Sequence, residues 1–325
     1  MNKLKMFNKL VYFTGFCTLS TYAYHSYFVI KPLFFRRKEH LQELHTRYGS
    51  GYAVVTGPTS GIGLAFTNEF SRLGFNVCLV GRNQNKLESL KKRLEQDYST
   101  KPKIIVHDFA EGNKDKLALL KTNLNKLEDI SIVVNNVGAQ FEHTKKFESL
   151  SPTDLVKYVN VNMLSQLSIY NSVLSKLRYQ KHKSLIIDVS SIVADSDVMA
   201  GNIVYTSTKG FNSRFSNLIK FQMETENVLK NVCVYNVDVA VFKPGRVDSE
   251  LGFNTNERAV SAERSVTCCL YDIVNGRLET NGAVSHTFLH SLLKIVPQPL
   301  INKFYAYKRY KQDISGHENI LEKEE

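Results

Sequence analysis

Tyr205-Thr206-Ser207-Thr208-Lys209 places a phenol and an ammonium four residues apart. In a helix this spacing puts both side chains on one face, one turn from each other. An ammonium beside a phenol stabilises the phenolate and lowers its pKa, which lets tyrosine exchange a proton near neutral pH. Pairs of this kind are common in proteins, so the pair carries weight only with partners. Ser190 and Ser191 are such partners, since they close the apolar run Leu185 to Val189. The end of a strand is where a parallel sheet presents groups to a ligand.

A second cluster lies near the start of the chain's apolar region. Thr56-Gly57-Pro58-Thr59-Ser60-Gly61-Ile62-Gly63 separates the apolar run Tyr52 to Thr56 from Ile62 to Leu73, whose apolar residues have helical spacing. Glycines between a strand and a helix let the backbone turn tightly and approach a pyrophosphate, and the helix N-terminus adds unpaired N–H groups. Gly57, Thr59, Ser60, Gly61, Ile62 and Gly63 are therefore candidate dinucleotide-binding residues. At the end of the next apolar run stands Gly81-Arg82-Asn83, with no carboxylate to meet the 2′-hydroxyl of NAD. Arg82 suits the 2′-phosphate of NADP instead; the alternative is a surface arginine that starts a helix. Asp108, after the third run, is placed to meet the adenine or to cap the loop that follows it.

The elements that position these groups are legible from the pattern. Tyr52–Thr56, Asn76–Val80, Lys103–His107, Ile130–Val134, Leu185–Val189 and Val232–Val241 are short runs rich in Val and Ile, each separated by a helix-like stretch. Asn83 to Asp97, with leucines at 87, 90 and 94, predicts an amphipathic helix. Strands alternating with helices imply an α/β fold, a doubly wound parallel sheet covered on both faces. One catalytic domain is expected over residues 50–286.

The flanks differ from it. Residues 1–36 hold three early lysines, an uncharged stretch from Val11 to Ile30, and then Lys31, Arg36 and Arg37. That stretch is about long enough to span a bilayer, so a retained N-terminal membrane-anchor helix is expected, with an interfacial helix as the competing reading. No small-residue cleavage site follows it, which argues against a secretory signal. Residues 287–325 carry an apolar stripe, Phe288, Leu289, Leu292, Leu293, Ile295 and Val296, and then aromatic residues mixed with Lys and Arg. This tail is expected either to touch a membrane surface or to pack on the domain.

The formal net charge of +11 favours an anionic partner, yet the basic residues are dispersed. That distribution argues against nucleic acid. The five cysteines, Cys17, Cys78, Cys233, Cys268 and Cys269, are odd in number and lack ligand spacing. A disulfide framework and a metal site are both disfavoured.

Taken in order, the glycine motif, Asn135-Asn136-Val137-Gly138, Asn162, the strand-end serine, Tyr205 with Lys209, and Pro244-Gly245-Arg246-Val247 resemble a short-chain dehydrogenase/reductase. The resemblance runs from Gly51 to about His286. It implies an NADPH-dependent ketone reductase in which Tyr205 donates a proton, Lys209 tunes the tyrosine and holds the nicotinamide ribose, and Ser191 bonds the substrate oxygen. It further implies that Asn162 supports a water path to Lys209, that Asn135 to Gly138 help hold the adenosine end and the central strand, and that Pro244, Gly245 and Val247 border the nicotinamide.

Asn160-Val161-Asn162-Met163-Leu164-Ser165 and Thr280-Asn281-Gly282 followed by His286, with the anchor-like start, are similar to one branch of that family. That branch holds membrane-bound 3-ketoacyl-CoA reductases of very-long-chain fatty-acid elongation and 17β-hydroxysteroid dehydrogenases. It implies a lipid substrate (an acyl-CoA or a sterol ketone), the endoplasmic reticulum membrane, and a homodimer as one oligomeric option. A 3-ketosphinganine reductase and an inactive NADP-binding scaffold or sensor are the alternatives. Two features depart from the pattern. Ser191 precedes Tyr205 by fourteen residues, one more than usual, and Asp195-Ser196-Asp197 is acidic for a lipid-facing loop. The chain also ends Glu322-Lys323-Glu324-Glu325, without the dilysine signal of several relatives.

Overall fold

The computed structural model describes residues 41–140, 147–195, 203–230, 237–245, 247–248 and 259–296, with scattered positions between 9 and 27 and between 299 and 303. The chain divides into two units, residues 1–38 and 39–325. In the first, the described residues are helical, and Tyr12, Phe13, Phe16 and Leu19 are exposed. Among the described residues no helix is long and apolar enough to cross a membrane. The expected anchor helix is thus not seen, and most of residues 1–36 lie outside the described residues.

The second unit is built on seven parallel strands in the order β3-β2-β1-β4-β5-β6-β9. They are β1 (Tyr52–Thr56), β2 (Val77–Gly81), β3 (Lys103–Val106), β4 (Ile130–Asn135), β5 (Ser184–Val189), β6 (Val237–Phe242) and β9 (Glu279–Thr280). Between the last two come β7 (Val247–Asp248) and β8 (Val260–Ser261), which pair with each other. The helices are α1 (Glu43–Tyr48), α2 (Gly61–Arg72), α3 (Gln84–Tyr98), α4 (Lys114–Asn125), α5 (Pro152–Val159), α6 (Ser165–Tyr179), α7 (Ile203–Lys230), α8 (Ala262–Val274) and α9 (Val284–Ile295). The strand order reverses between β1 and β4, which opens a crevice at the carboxyl ends of those strands.

Burial explains the sequence pattern. Every residue of β2, β4 and β5 is buried, so these strands read as continuous apolar runs. One core layer joins Val55, Leu79 and Val134 to Phe66, Phe70 and the apolar side of α8. The opposite layer joins Val54, Val80 and Val133 to Leu120, Leu124, Ile169, Tyr170 and Val173. Leu87, Leu90 and Leu94 of α3 are buried as their spacing predicts, and Asn83 caps that helix by accepting from Lys86 N at 3.0 Å.

Three differences from expectation stand out. The packed unit starts before residue 50, because Leu41, Leu44 and Tyr48 around α1 are fully buried. Its C-terminal side passes residue 286 within α9, where His286 and His290 are buried while Phe288 is 64% exposed. The tail's first helix therefore packs on the domain through its histidines, and most of the tail beyond residue 296 is outside the described residues. β9 has only two residues and no apolar run, which is why it was not expected; the start of the sixth run, 231–236, is also outside the described residues.

Candidate active site

The glycine turn is held from below by β4. Thr56 Oγ1 accepts from Asn136 N at 2.9 Å and from Val137 N at 3.0 Å, while Asn136 Nδ2 donates to Thr56 O at 3.0 Å and Gly57 O at 3.2 Å. Gly57 has φ of 65°, a left-handed conformation that costs a larger residue energy. A Cβ at Gly63 would sit 2.1 Å from the Gly57 carbonyl oxygen, so only glycine lets α2 come this close. Ser60 is the extended N-cap of α2, yet its side chain makes no cap hydrogen bond. The first turn of α2, which begins with Gly61 and Ile62, thus keeps N–H groups for an anion, and Thr59 lies in the glycine turn before it. These features fit a dinucleotide pyrophosphate.

Arg82 follows β2 directly and is exposed, with no ion pair among the described residues. It stands outside α3, whose cap is Asn83, so its guanidinium is available at the strand end where a 2′-phosphate would lie. Asp108 takes the capping alternative: its Oδ1 accepts from Ala110 N at 2.9 Å and starts the short turn Phe109–Glu111.

Asn135 has a partner within the sheet. Its Nδ2 donates to the buried carboxylate of Asp188 at 2.7 Å, which ties β4 to β5. Gly138 lies against the lysine, and a Cβ there would be 3.2 Å from Lys209 Nζ. Asn162 sits in a π-turn, Asn160–Leu164, inserted between α5 and α6. Such turns often mark functional sites. Its side chain bonds both backbone groups of Ala139, at 2.7 and 2.9 Å, and donates to Thr208 Oγ1 at 3.0 Å. Its own carbonyl accepts from Asn212 Nδ2 at 2.8 Å. An enclosed cavity of about 10 Å³ is bordered by Asn135, Asn162, Gln166, Asp188, Val189 and Asn212.

The two serines have different surroundings. Ser190 is buried; its hydroxyl donates to Lys209 O at 2.8 Å and meets Ser213 Oγ at 2.8 Å. Ser191 is partly exposed; its hydroxyl donates to Pro244 O at 3.5 Å and accepts from Val193 N at 3.4 Å, and it lies near enough to the Tyr205 phenol to favour the phenolate. The extra residue in the intervening segment therefore does not separate serine from tyrosine. Lys209 is buried, its Nζ donates to Val189 O at 2.8 Å, and it lies 5.7 Å from the Tyr205 ring centroid.

The electrostatic balance differs from the expected lowered tyrosine. Burial pushes the Tyr205 phenol up to about 12, against the lowering effect of the nearby Ser191 hydroxyl. Burial pulls Lys209 down to about 8, with the Asp188 charge opposing. Both shifts have one cause, the loss of water around the pair. The phenol thus holds its proton over the ordinary pH range.

Pro244 O accepts from Ile192 N at 3.1 Å, joining the loop after β6 to the turn that follows Ser191. Gly245 lies under the His286 ring, where a Cβ would be 2.6 Å from a ring carbon, and Val247 is buried in β7. Arg246 is outside the described residues. Beside this loop Lys243 is buried between two carboxylates, Asp195 Oδ2 at 2.8 Å and Glu279 Oε1 at 2.7 Å. Asp195 also meets His290 Nε2 at 2.9 Å. The acidity after Ser191 is thereby partly explained, because Asp195 bonds protein cations; Ser196 and Asp197 are outside the described residues.

A glycine turn at the switch point and a Ser191–Tyr205–Lys209 group at the end of β5 occur together on one parallel sheet. Residues 51–259 match the family model described as short chain dehydrogenase. The chain belongs to that family. Membership makes it an oxidoreductase of alcohol and ketone groups that works with a nicotinamide dinucleotide. The chain is 28% identical over 257 residues to "Very-long-chain 3-oxoacyl-CoA reductase-B" of Danio rerio, covering 78% of each chain. It is also 28% identical over 204 residues to "Inactive hydroxysteroid dehydrogenase-like protein 1" of Homo sapiens, covering 62% of this chain and 60% of that one. Among solved structures it resembles a short-chain dehydrogenase from Sphingobium yanoikuyae in complex with NADPH. The TM-score is 0.63 and the identity 18%, over 76% of this chain and 97% of that one.

Several contacts are not legible in the sequence. Asn136 clamps the glycine turn, Asn212 and Thr208 hold Asn162, Ser213 holds Ser190, and Lys243 with Asp195 and Glu279 ties the loops. A carboxylate inside the apolar run Leu185 to Val189 was the one available signal for Asp188, since a buried charge needs partners.

Proposed function

We propose that the protein is a membrane-associated, NADPH-dependent reductase of a lipid ketone, with a very-long-chain 3-ketoacyl-CoA as substrate. The observation that carries the reading is the gathering at the end of β5 of Ser191, a Tyr205 phenol that keeps its proton, and a buried Lys209 that donates to Val189 O and lies 5.7 Å from the Tyr205 ring centroid. A ketone reductase needs a neutral acid at that position. The glycine turn and the first turn of α2 fit the pyrophosphate, and Arg82 favours NADPH over NADH. When bound, the reduced nicotinamide supplies the hydride that reaches the carbonyl carbon. Ser191 and Tyr205 then bind the carbonyl oxygen, and the Tyr205 proton passes to it. The Lys209 ammonium stabilises the phenolate left behind and holds the nicotinamide ribose. Pro244, Gly245 and Val247 shape the loop on the nicotinamide side, and Asn162 braces α5, α6 and α7 around the lysine.

The acyl-CoA assignment draws on the zebrafish reductase's name, on the +11 charge, which suits an anionic CoA head, and on the apolar, basic-flanked start of the chain. That start also supports association with the endoplasmic reticulum membrane. A homodimer fits the reading but is not needed by it. Membranes carrying the expressed protein should oxidise NADPH when given a long-chain 3-ketoacyl-CoA. Oxidation with a steroid ketone alone would keep the chemistry and replace the substrate.

A second reading is an inactive NADP-binding scaffold, favoured by the name of the human relative. It predicts NADPH binding with no turnover on any ketone. The completed serine, tyrosine and lysine group speaks for the enzyme.

A further inference from the structure

Asp188 is the residue before Val189, near the end of β5, and its side chain is 1% exposed. Three elements converge on it. Asn135 Nδ2 of β4 donates to Oδ1 at 2.7 Å; Tyr170 Oη of α6 and Ser216 Oγ of α7 reach Oδ2 at 2.7 and 2.6 Å. Gln166 Nε2 of α6 donates to Ser216 Oγ at 3.0 Å and lies near enough to the carboxyl to favour its charged form. Burial raises the Asp188 pKa above the ordinary carboxylate range, and these hydrogen bonds oppose the rise by favouring the carboxylate. The proton transfer proposed above uses none of these residues.

The position of the charge gives it a task. Val189 O, one residue along, accepts from Lys209 Nζ at 2.8 Å. Lys209 is 4% exposed, and an ammonium buried without a counter-charge gives up its proton or leaves its site. The titratable groups that face this centre are Tyr170 from α6, Tyr205 and Lys209 from α7, and Asp188 from β5; Tyr158 of α5 acts on Tyr205. Asp188 is the carboxylate among them. The 10 Å³ cavity bordered by Asp188, Asn135 and Asn162 is about the size of one water. It lies on the Val189 side of the network.

We propose that Asp188 is a positioning residue: its buried carboxylate is the counter-charge that keeps Lys209 an ammonium, and its hydrogen bonds fix the strand end whose carbonyl holds that ammonium. The inference rests on the reductase reading for its catalytic meaning, whereas its electrostatic content concerns this chain alone.

Asp188→Asn isolates the charge. The new amide can place Nδ2 toward Tyr170 and Ser216, whose hydroxyls can accept, while its oxygen still accepts from Asn135. The probe is the ¹³Cε resonance of Lys209 in lysine-labelled full-length protein, identified by its loss in Lys209→Met and followed over pH. The expected result is a midpoint near 8 in the wild type and a fall of about one pH unit in Asp188→Asn. Tyr170→Phe, which removes one hydrogen bond and keeps the carboxylate, should destabilise the fold and leave the midpoint in place. An unmoved midpoint in folded Asp188→Asn, or an equal move in Tyr170→Phe, overturns the proposal. If Asp188→Asn does not fold, the wild-type midpoint decides, because a lysine buried with no counter-charge titrates near about 5–6. The readout needs no turnover, so an inactive wild type would defeat the reductase reading and leave this result standing.

Discussion

Lys209 Nζ donates to the carbonyl of Val189 at 2.8 Å, so the helix that bears the tyrosine is tied to the strand that bears the serine. The contact joins residues twenty apart and anchors the first turns of the helix to the end of the strand that leads to Ser191. It also takes the ammonium out of water, which is why the lysine's pKa falls to about 8.

A pH dependence follows from that value. Ketone reduction needs the Tyr205 proton and the Lys209 charge together. Tyr205 is pushed up to about 12, so it stays protonated throughout the working range. The lysine has a lowered pKa, so its charge is complete below about 8 and is lost as pH rises through that value. The kcat/KM for reduction should be level at neutral pH and decline above about 8. Initial rates across pH 6 to 10 check this; a profile level to pH 10 would show that the lysine charge is not needed.

Ser191 and Ser190 should separate cleanly. Ser191→Ala removes the hydroxyl beside Tyr205 and should lower kcat/KM about 100-fold with little change in Tm. Ser190→Ala leaves the Lys209 carbonyl and Ser213 without their partner and should cost about 1–2 kcal/mol of stability, with most of the activity kept. Steady-state kinetics and thermal melts on both variants check the assignment. The reverse pattern would move the role to Ser190.

Arg82→Ala should raise the KM for NADPH by about 10-fold and leave that for NADH nearly unchanged, because only the former carries the 2′-phosphate. Parallel titration of the two cofactors is the test. Equal effects on both would return Arg82 to an ordinary surface residue.

How far the sequence reveals the site depends on how local the signal is. The glycine turn, Tyr205 with Lys209, and the apolar strands are set by neighbours within a few residues, so their spacing alone points to them. Asp188 is different, because its donors lie 18, 28 and 53 residues away. Only the sheet order and the path of α6 and α7 bring them together. Asn136 is hidden for the same reason: its contacts with the glycine turn span about eighty residues, since β1 and β4 are neighbours in the sheet but not in the chain. The role of Asp108 was open because a carboxylate after a strand can face a ligand or cap a turn, and here Ala110 N takes it.

The buried cation near the nicotinamide loop should matter for stability. Lys243→Met leaves Asp195 and Glu279 without their shared partner, although Glu279 is half exposed and Asp195 keeps His290. The variant should lose about 2–3 kcal/mol, read as a lowered midpoint in urea. No change in the midpoint would show that the cluster is replaceable by apolar packing.

The most direct test of the account is Tyr205→Phe, measured for NADPH oxidation with a 3-ketoacyl-CoA and, separately, for NADPH binding by fluorescence. The account predicts that kcat falls about 10²–10⁴-fold while the Kd for NADPH stays within a few-fold of the wild type. Turnover that survives the loss of this hydroxyl would contradict it.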